Sequence, residues 1–327
     1  MTPQDAASIC NVIAKLPNQP YLKNTSRDWW PKFIYHYTNI KNTALILCDG
    51  KLISRAQLER DGVMSLDNAS PTIIHNTRVE VKGCVRLYFR PRTPTQYNNE
   101  GVRPINRRSL NAHCPVPVFF LFDSKDFFTN TDCYFSEGNM ASPTCTAHNT
   151  ARHFAQLPFE KIFHEGPVTE LQKASITFHR NAEILVPNEL ALNSLKYLFC
   201  RSPAERETLL FTLPSEIRKR WAQKIGVDSK LNVFFRRWTF VESAILDNNV
   251  VVINFSPDSS TSGPFDLYYE TIDLSTKQQY TFKNHQFEAT KPFRIAVPTG
   301  VKSYKVKLKL DNDLVFAGEY QFNENPF

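Results

Sequence analysis

Apolar positions fall into two regimes along the chain. Up to about residue 225 strand and helix periodicities alternate, whereas from Asn249 onward only the two-residue period of strands remains. Thr2-Pro3-Gln4-Asp5 sets a capping hydroxyl, a proline and a carboxylate at the entry of an amphipathic helix carrying Ile9, Val12, Ile13 and Leu16. Phe33 to Tyr37 alternates as a strand. Asn39 to Gly50 then places Ile40, Ala44, Leu47 and Cys48 on one helical face, with Gly50 as the stop. Residues 51 to 82 have weak periodicity and predict loop and short helix. Val85 to Arg90 alternates again, with Val85, Leu87 and Phe89 on one face and Arg86, Tyr88 and Arg90 on the other, an unusual side for a structural strand. Two prolines in Pro91-Arg92-Thr93-Pro94 end it, because proline cannot donate to a ladder. Val116 to Asp123 and Asn181 to Val186 read as buried strands, and the second carries an acid, Glu183, on the same face as Leu185.

Ser202-Pro203-Ala204-Glu205 forms a capping box that opens a helix through about Phe211, and Leu213 to Ile225 predicts a second helix closed by Gly226. The β runs beyond are Val250 to Phe255, Phe265 to Ile272, Gln279 to Ala289, Phe293 to Val297 and Tyr304 to Phe322, with turn residues between them. They predict a small β-sandwich of roughly 80 residues. The expected organisation is an α+β domain over residues 1–245 followed by an all-β accessory domain over 246–327.

Composition narrows the class. A hydrophobic content of 42% with 22% charged residues is ordinary for a globular protein and excludes a disordered or fibrous chain. No apolar run approaches the roughly 20 residues that span a bilayer, and the first residues lack a leader's apolar stretch, so a cytoplasmic protein without membrane contact is expected. Seven scattered cysteines, with no Cys-x-x-Cys pair, argue against a disulfide framework and a zinc site. His148, His153 and His164 lack the spacing of a metalloprotease helix, and no metal is expected. Charge is uneven: residues 246–327 hold 8 Lys and Arg against 10 Asp and Glu, so the net +7 of the whole chain arises in the first 245. That bias suits a polyanionic partner as well as it suits plain solubility.

Four segments carry the chemistry: Ile34-Tyr35-His36-Tyr37-Thr38-Asn39-Ile40, Tyr88-Phe89-Arg90-Pro91-Arg92-Thr93-Pro94-Thr95-Gln96-Tyr97, Phe135-Ser136-Glu137-Gly138-Asn139 and Asn181-Ala182-Glu183-Ile184-Leu185-Val186. In this order, over about residues 33 to 190, they resemble the DarT family of DNA ADP-ribosyltransferase toxins. The resemblance implies an ADP-ribosyltransferase fold, a split and curved β-core with flanking helices, that binds NAD+ as co-substrate and modifies a base of single-stranded DNA. It also implies a macrodomain antitoxin as partner in a toxin-antitoxin system. The family's first-motif residues fall on His36 and Thr38, which would hold the nicotinamide end of NAD+. Those of the second motif fall on Tyr88, Arg92 and Tyr97, and the catalytic glutamate falls on Glu183. The family's catalytic arginine precedes the second motif; Arg78 is the candidate here and Arg55 the alternative. The third motif departs from the family's usual Asp before Gly, with Glu137 in that place.

Residue chemistry agrees with this assignment. Breaking the nicotinamide–ribose bond leaves an oxocarbenium-like sugar, and a carboxylate on a rigid strand stabilises that charge without reorganising. Aromatic faces such as Tyr88 and Tyr97 hold a departing ring by offset stacking, and Arg92 suits a diphosphate. A neutral His36 orients a ribose hydroxyl, and Glu183 with Arg78 manages the proton lost by the acceptor base. A base edge hidden in a duplex is accessible in a single strand. Arg103, Arg107 and Arg108 are the candidates for its phosphates, with Asn139 of the third motif beside the DNA. Two other readings stay open: transfer to RNA or protein, and a catalytically silent nucleic-acid-binding module of the same fold. Without the resemblance, Glu183 would be a strand carboxylate paired with Arg180 or Lys173, and His36 a satisfied core histidine.

Overall fold

Thr2 caps the first helix as its sequence requires: its hydroxyl accepts from the Asp5 amide at 3.1 Å, and Pro3–Lys15 buries Ala6, Ile9 and Ile13. The computed structural model describes residues 1–62, 75, 77–108 and 112–322. They form two compact units, one of Met1–Thr38, Leu45–Asn98 and Phe119–Leu198, the other of Asn39–Ala44, Asn99–Val118 and Phe199–Phe327.

In the first unit the strands are β1 (Phe33–Asn39), β2 (Lys51–Ile53), β3 (Cys84–Tyr88), β4 (Pro117–Asp123), β5 (Tyr134–Phe135), β6 (Glu183–Pro187), β7 (Glu189–Ala191) and β8 (Leu195–Cys200). Six of them lie side by side in the order β5-β6-β3-β1-β4-β8, and β2 pairs separately with β7. β6 runs antiparallel to β3 with Tyr88 opposite Glu183 and Arg86 opposite Leu185, so these four side chains share one face. The β1–β3 ladder is confined to Tyr35 opposite Tyr88. Every side chain of β4 from Pro117 to Phe122 is buried, which explains its unbroken apolar run. Phe127 meets Phe122 of this strand edge-on at 6.3 Å, and Phe154 lies edge-on 5.4 Å from Phe128 and 5.0 Å from Phe135. The helix Ile40–Asp49 ends at Gly50, whose φ of +70° is the left-handed value a helix stop favours.

The second unit contains β9 (Ile225–Val227) and two antiparallel sheets. One has the order β10-β11-β14 from Val241–Leu246, Val250–Phe255 and Phe293–Ala296. The other has the order β13-β12-β15-β16 from Gln279–Phe287, Phe265–Asp273, Tyr304–Leu310 and Asp313–Tyr320. Both inner faces share one core, in which Val251, Ile253 and Phe255 meet Leu267, Val306, Leu308 and Phe316. This is the expected sandwich, and the whole is an α+β protein.

Four elements differ from their sequence pattern, the first being β2, a strand at the start of the 51–82 stretch expected as loop and short helix, of which residues 63–74 and 76 lie outside the described residues. Tyr304 to Phe322 is a hairpin, turning on Asp311 and Asn312 at φ +49° and +67°, values that match the twist of paired strands. β10 was not marked by the apolar pattern because its residues are mostly half-buried. The second helix after Ser202 stops at Trp221, and Gly226 lies in β9, where the Ile225 carbonyl accepts from Arg206 Nε at 2.8 Å in place of a helical amide.

Candidate active site

Glu183 begins β6 and is buried, with 1% of its side chain exposed. A carboxylate at such depth requires partners on both oxygens. Arg86, diagonally across the β3–β6 ladder, supplies them as a fork: its Nε donates to Oε2 at 3.0 Å and its Nη2 to Oε1. The Met140 backbone amide adds a third hydrogen bond. Burial raises the Glu183 carboxyl above the ordinary glutamate range, and Arg86 and Met140 pull against that rise. Burial, the largest single influence, would lower Arg86, but the charge and hydrogen bonds of Glu183 together with Tyr88 and Tyr37 outweigh it and keep the guanidinium protonated.

The third motif is folded around this carboxylate. The Ser136 amide donates to the Glu183 carbonyl at 2.9 Å, and the Ser136 hydroxyl donates to the Gly138 carbonyl at 2.8 Å. Asn139 caps the following turn, its Oδ1 accepting from the Ala141 amide at 2.9 Å, and so delivers the Met140 amide. Gly138 admits no side chain, since a Cβ would lie 2.3 Å from the Phe178 ring. Gly138→Ala is expected to displace Phe178, costing about 1 to 3 kcal/mol, and to lower turnover with little loss of NAD+ binding. Urea unfolding and steady-state kinetics check this, and unchanged turnover would detach the loop from the site.

The second motif is fixed to the same strand. Thr93-Pro94-Thr95-Gln96 opens the helix Pro94–Asn99 with half of a capping box: Thr93 Oγ1 accepts from the Gln96 amide at 3.2 Å, while Gln96 Oε1 accepts from the Arg92 amide at 2.7 Å, one residue before the cap. Thr95 Oγ1 donates to Asn181 Oδ1 at 3.0 Å, two residues before Glu183, and also bonds the Tyr88 hydroxyl. Tyr88 is buried opposite Glu183, and burial, with the Glu183 charge second, pushes its phenol up to about 12, so it stays neutral. The Tyr37 ring lies 6.5 Å from that of Tyr88. Arg92 sits at φ +57° with its side chain half-buried, and Tyr97 is 41% exposed.

On β1, His36 Nδ1 donates to the Arg86 carbonyl at 3.0 Å, beyond the end of the short β1–β3 ladder. A carbonyl can only accept, so the proton is on Nδ1 and Nε2 is an acceptor in the neutral ring. Burial lowers the His36 pKa, which keeps the ring neutral. Thr38 is buried farther along the strand.

His36, Thr38, Tyr88, Arg92, Tyr97, Asn139 and Glu183 thus lie on one unit, on the strands and loops that surround β3 and β6. Arg78 is in this unit too, but its Nη2 donates to the Cys145 carbonyl at 2.8 Å, and it braces the loop that presents Met140. The guanidinium on Glu183 is that of Arg86, which the sequence marked only as part of an unusually charged strand face. Arg90, from that same face, is fully buried against Glu165 and the carbonyls of Ile162 and His164, an anchor for the chain. Arg55 pairs with Glu59 at 3.7 Å.

The three loop arginines are in the second unit. Arg103 is 3% exposed with its guanidinium 4.9 Å over the Trp238 ring, and Arg108 pairs with Asp313 at 3.0 Å. Arg107 is exposed, touching Thr261 Oγ1 at 3.3 Å. Among the described residues no group of three His, Cys, Asp or Glu side chains is arranged to hold a metal ion, and no helix is long and apolar enough to cross a membrane.

Comparison with known proteins places this chain in a family. The sequence model described as "ssDNA thymidine ADP-ribosyltransferase, DarT" matches residues 35–235, which include all four motifs except Ile34 at the start of the first. Thermus sp. 2.9 DarT, solved with ADP-ribosylated ssDNA, is similar at 18% identity and a TM-score of 0.50, covering 63% of this chain and 97% of its own. The same protein solved with NAD+ matches at 16% identity over 63% of this chain and 98% of its own, TM-score 0.48. Thermosipho africanus DarTG, solved with ADP-ribose, matches at 16% identity over 66% of this chain and 53% of its own, TM-score 0.45. No curated protein matches the sequence. The fold is the ADP-ribosyltransferase fold of DarT, and the chain belongs to the DarT family of ssDNA thymidine ADP-ribosyltransferases.

Proposed function

We propose that this chain transfers ADP-ribose from NAD+ to the thymidine base of single-stranded DNA, releasing nicotinamide, and that Glu183 is its essential carboxylate. The observation that supports this reading most is the held acid: a carboxylate buried at the start of β6, fixed by Arg86 and the Met140 amide, with Tyr88 directly opposite. As the glycosidic bond lengthens, positive charge builds on the ribose, and a carboxylate already oriented by its surroundings stabilises it without reorganisation. His36 Nε2 accepts from a ribose hydroxyl, Tyr88 and Tyr97 flank the nicotinamide, Thr38 holds its carboxamide and Arg92 takes the diphosphate. Arg78 acts through the loop that carries Met140. The thymidine ring gives up a proton as its nitrogen bonds the sugar, and Glu183, freed of the developing cation, accepts it.

In this reading Asn139 contacts the DNA strand, and in the second unit Arg103 and Arg108 hold the loop that exposes Arg107. Residues 1–245 act as the catalytic domain and 246–327 as an accessory domain. A cytoplasmic toxin neutralised by a macrodomain antitoxin is the biological role the family likeness supports. The deciding experiment incubates the protein with NAD+ and offers thymidine-containing single-stranded DNA, the same sequence as duplex, RNA of matched sequence, and protein. The expected product is the single strand heavier by one ADP-ribose, with the label on thymidine after digestion to nucleosides. An unmodified strand beside labelled RNA or protein would move the activity to another acceptor.

A further inference from the structure

Glu183 is covered by the guanidinium of Arg86. Arg86 occupies both carboxylate oxygens, and the carboxylate is 1% exposed while Arg86 is 29% exposed. The other nearby guanidiniums are committed elsewhere, Arg78 to the Cys145 carbonyl and Arg90 to Glu165. A carboxylate left alone at this depth would take up a proton and lose the charge the reaction needs. The nicotinamide riboside end of NAD+ is itself a cation, of the same sign as the group that it has to replace.

Resting on the transferase reading above, we infer that Arg86 is a positioning residue: it holds Glu183 oriented and charged in the resting site and yields it to the cationic nicotinamide riboside. Its exposed side gives the guanidinium a path into solvent, so one counter-ion is exchanged for another and the carboxylate is never both buried and unpaired. The groups around Glu183 leave this task to Arg86. From β3 they are Arg86 and Tyr88, from β1 Tyr37, and from the 136–145 loop Cys145, Glu137 and the Met140 amide. Tyr88 and Cys145 have raised pKa values and are neutral. Arg86 is therefore the positive charge that opposes burial at Glu183.

The test compares wild type with Arg86→Gln, which keeps a hydrogen-bond donor without charge, and Arg86→Lys, which restores the charge. Two readouts are taken. The Glu183 carboxyl is titrated directly by carbon-13 NMR of protein labelled at glutamate carboxyls, with Glu183→Gln to assign the signal. The pH profile of kcat/KM for NAD+ is measured on a single-stranded oligonucleotide. Removing the charge leaves burial unopposed, so the Glu183 pKa rises further, and the carboxylate is present only at higher pH. In Arg86→Gln the titration midpoint and the acid limb of kcat/KM are both expected to move up by at least one pH unit, with activity recovering in alkali. Arg86→Lys returns both most of the way. Above the shifted limb, KM for NAD+ in Arg86→Gln is at or below the wild-type value, because nothing has to be displaced. A midpoint that does not move, or a lysine variant indistinguishable from glutamine, overturns the inference. So does a KM raised tenfold with the limb in place, which would make Arg86 a ligand of NAD+. A wild-type protein that transfers nothing overturns the transferase reading instead, and the NMR titration still decides whether Arg86 sets the charge of Glu183.

Discussion

Glu183→Gln is expected to lower turnover by about two to three orders of magnitude, the usual loss when a group that stabilises charge growing in the transition state is removed. The carboxamide is the same shape, so NAD+ binding should change little, and the loss should appear in kcat with KM nearly constant. The fold also registers the change. Arg86 loses the partner that holds its Nε and Nη2, but with 29% of its side chain exposed it can turn toward water. The stability cost is therefore nearer the about 1 to 3 kcal/mol of an unsatisfied polar group than the larger penalty of a sealed ion pair. Single-turnover transfer to a thymidine oligonucleotide, with calorimetric NAD+ binding on the same preparation, separates the two effects. A drop of less than tenfold in turnover, together with the destabilisation, would reduce Glu183 to a structural partner of Arg86.

How much of this site could be read from sequence depends on the kind of physics at each position. Strand alternation located Glu183 and its face, because register follows from a period of two once one side is buried. It also put Arg86 and Tyr88 on one face of β3, as the pairing with Leu185 and Glu183 bears out. What periodicity does not provide is the neighbour strand. Nothing local says that β3 lies against β6, about 97 residues away in the chain, and so Arg86 was not identified as the partner of Glu183. Charge counts misdirect for a related reason. Arg103, Arg107 and Arg108 look alike in sequence, yet one is buried over a tryptophan, one is exposed and one is paired with Asp313. A basic loop does not reveal which of its cations face solvent. Caps are the opposite case: Thr2, Thr93 and Ser202 satisfy amides within three residues of themselves, and short-range chemistry of this kind is readable directly.

Glu205→Ala is expected to cost about 3 to 5 kcal/mol, the penalty for leaving one member of a buried ion pair uncompensated. In the sequence Ser202 to Glu205 is a capping box, whose acid would reach back to the Ser202 amide. The structure keeps only half of that. Ser202 Oγ accepts from the Glu205 amide at 3.1 Å, while the Glu205 carboxylate turns to Arg201, taking its backbone amide at 3.2 Å and its guanidinium through Nε and Nη2. Both side chains are fully buried, Arg201 lying 4.2 Å over the Phe240 ring and donating to the Pro115 carbonyl at 2.9 Å. The nearest other carboxylate, Glu100 at 3.6 Å, is already engaged by the amides of Phe235 and Arg236 and cannot replace Glu205 in a fork. For a unit of this size the loss corresponds to a Tm lower by on the order of 10 °C, readable by thermal scans and urea unfolding. Replacing both partners, as in Arg201→Met with Glu205→Leu, should recover most of that stability, because the desolvation of two charges then disappears along with their attraction. Glu205 belongs to the second unit and Glu183 to the first, so below the transition kcat/KM for NAD+ should be essentially that of wild type. A double variant no more stable than Glu205→Ala would show that the shape and hydrogen bonds of this pair, and not its charge balance, hold the helix Pro203–Thr212 in place.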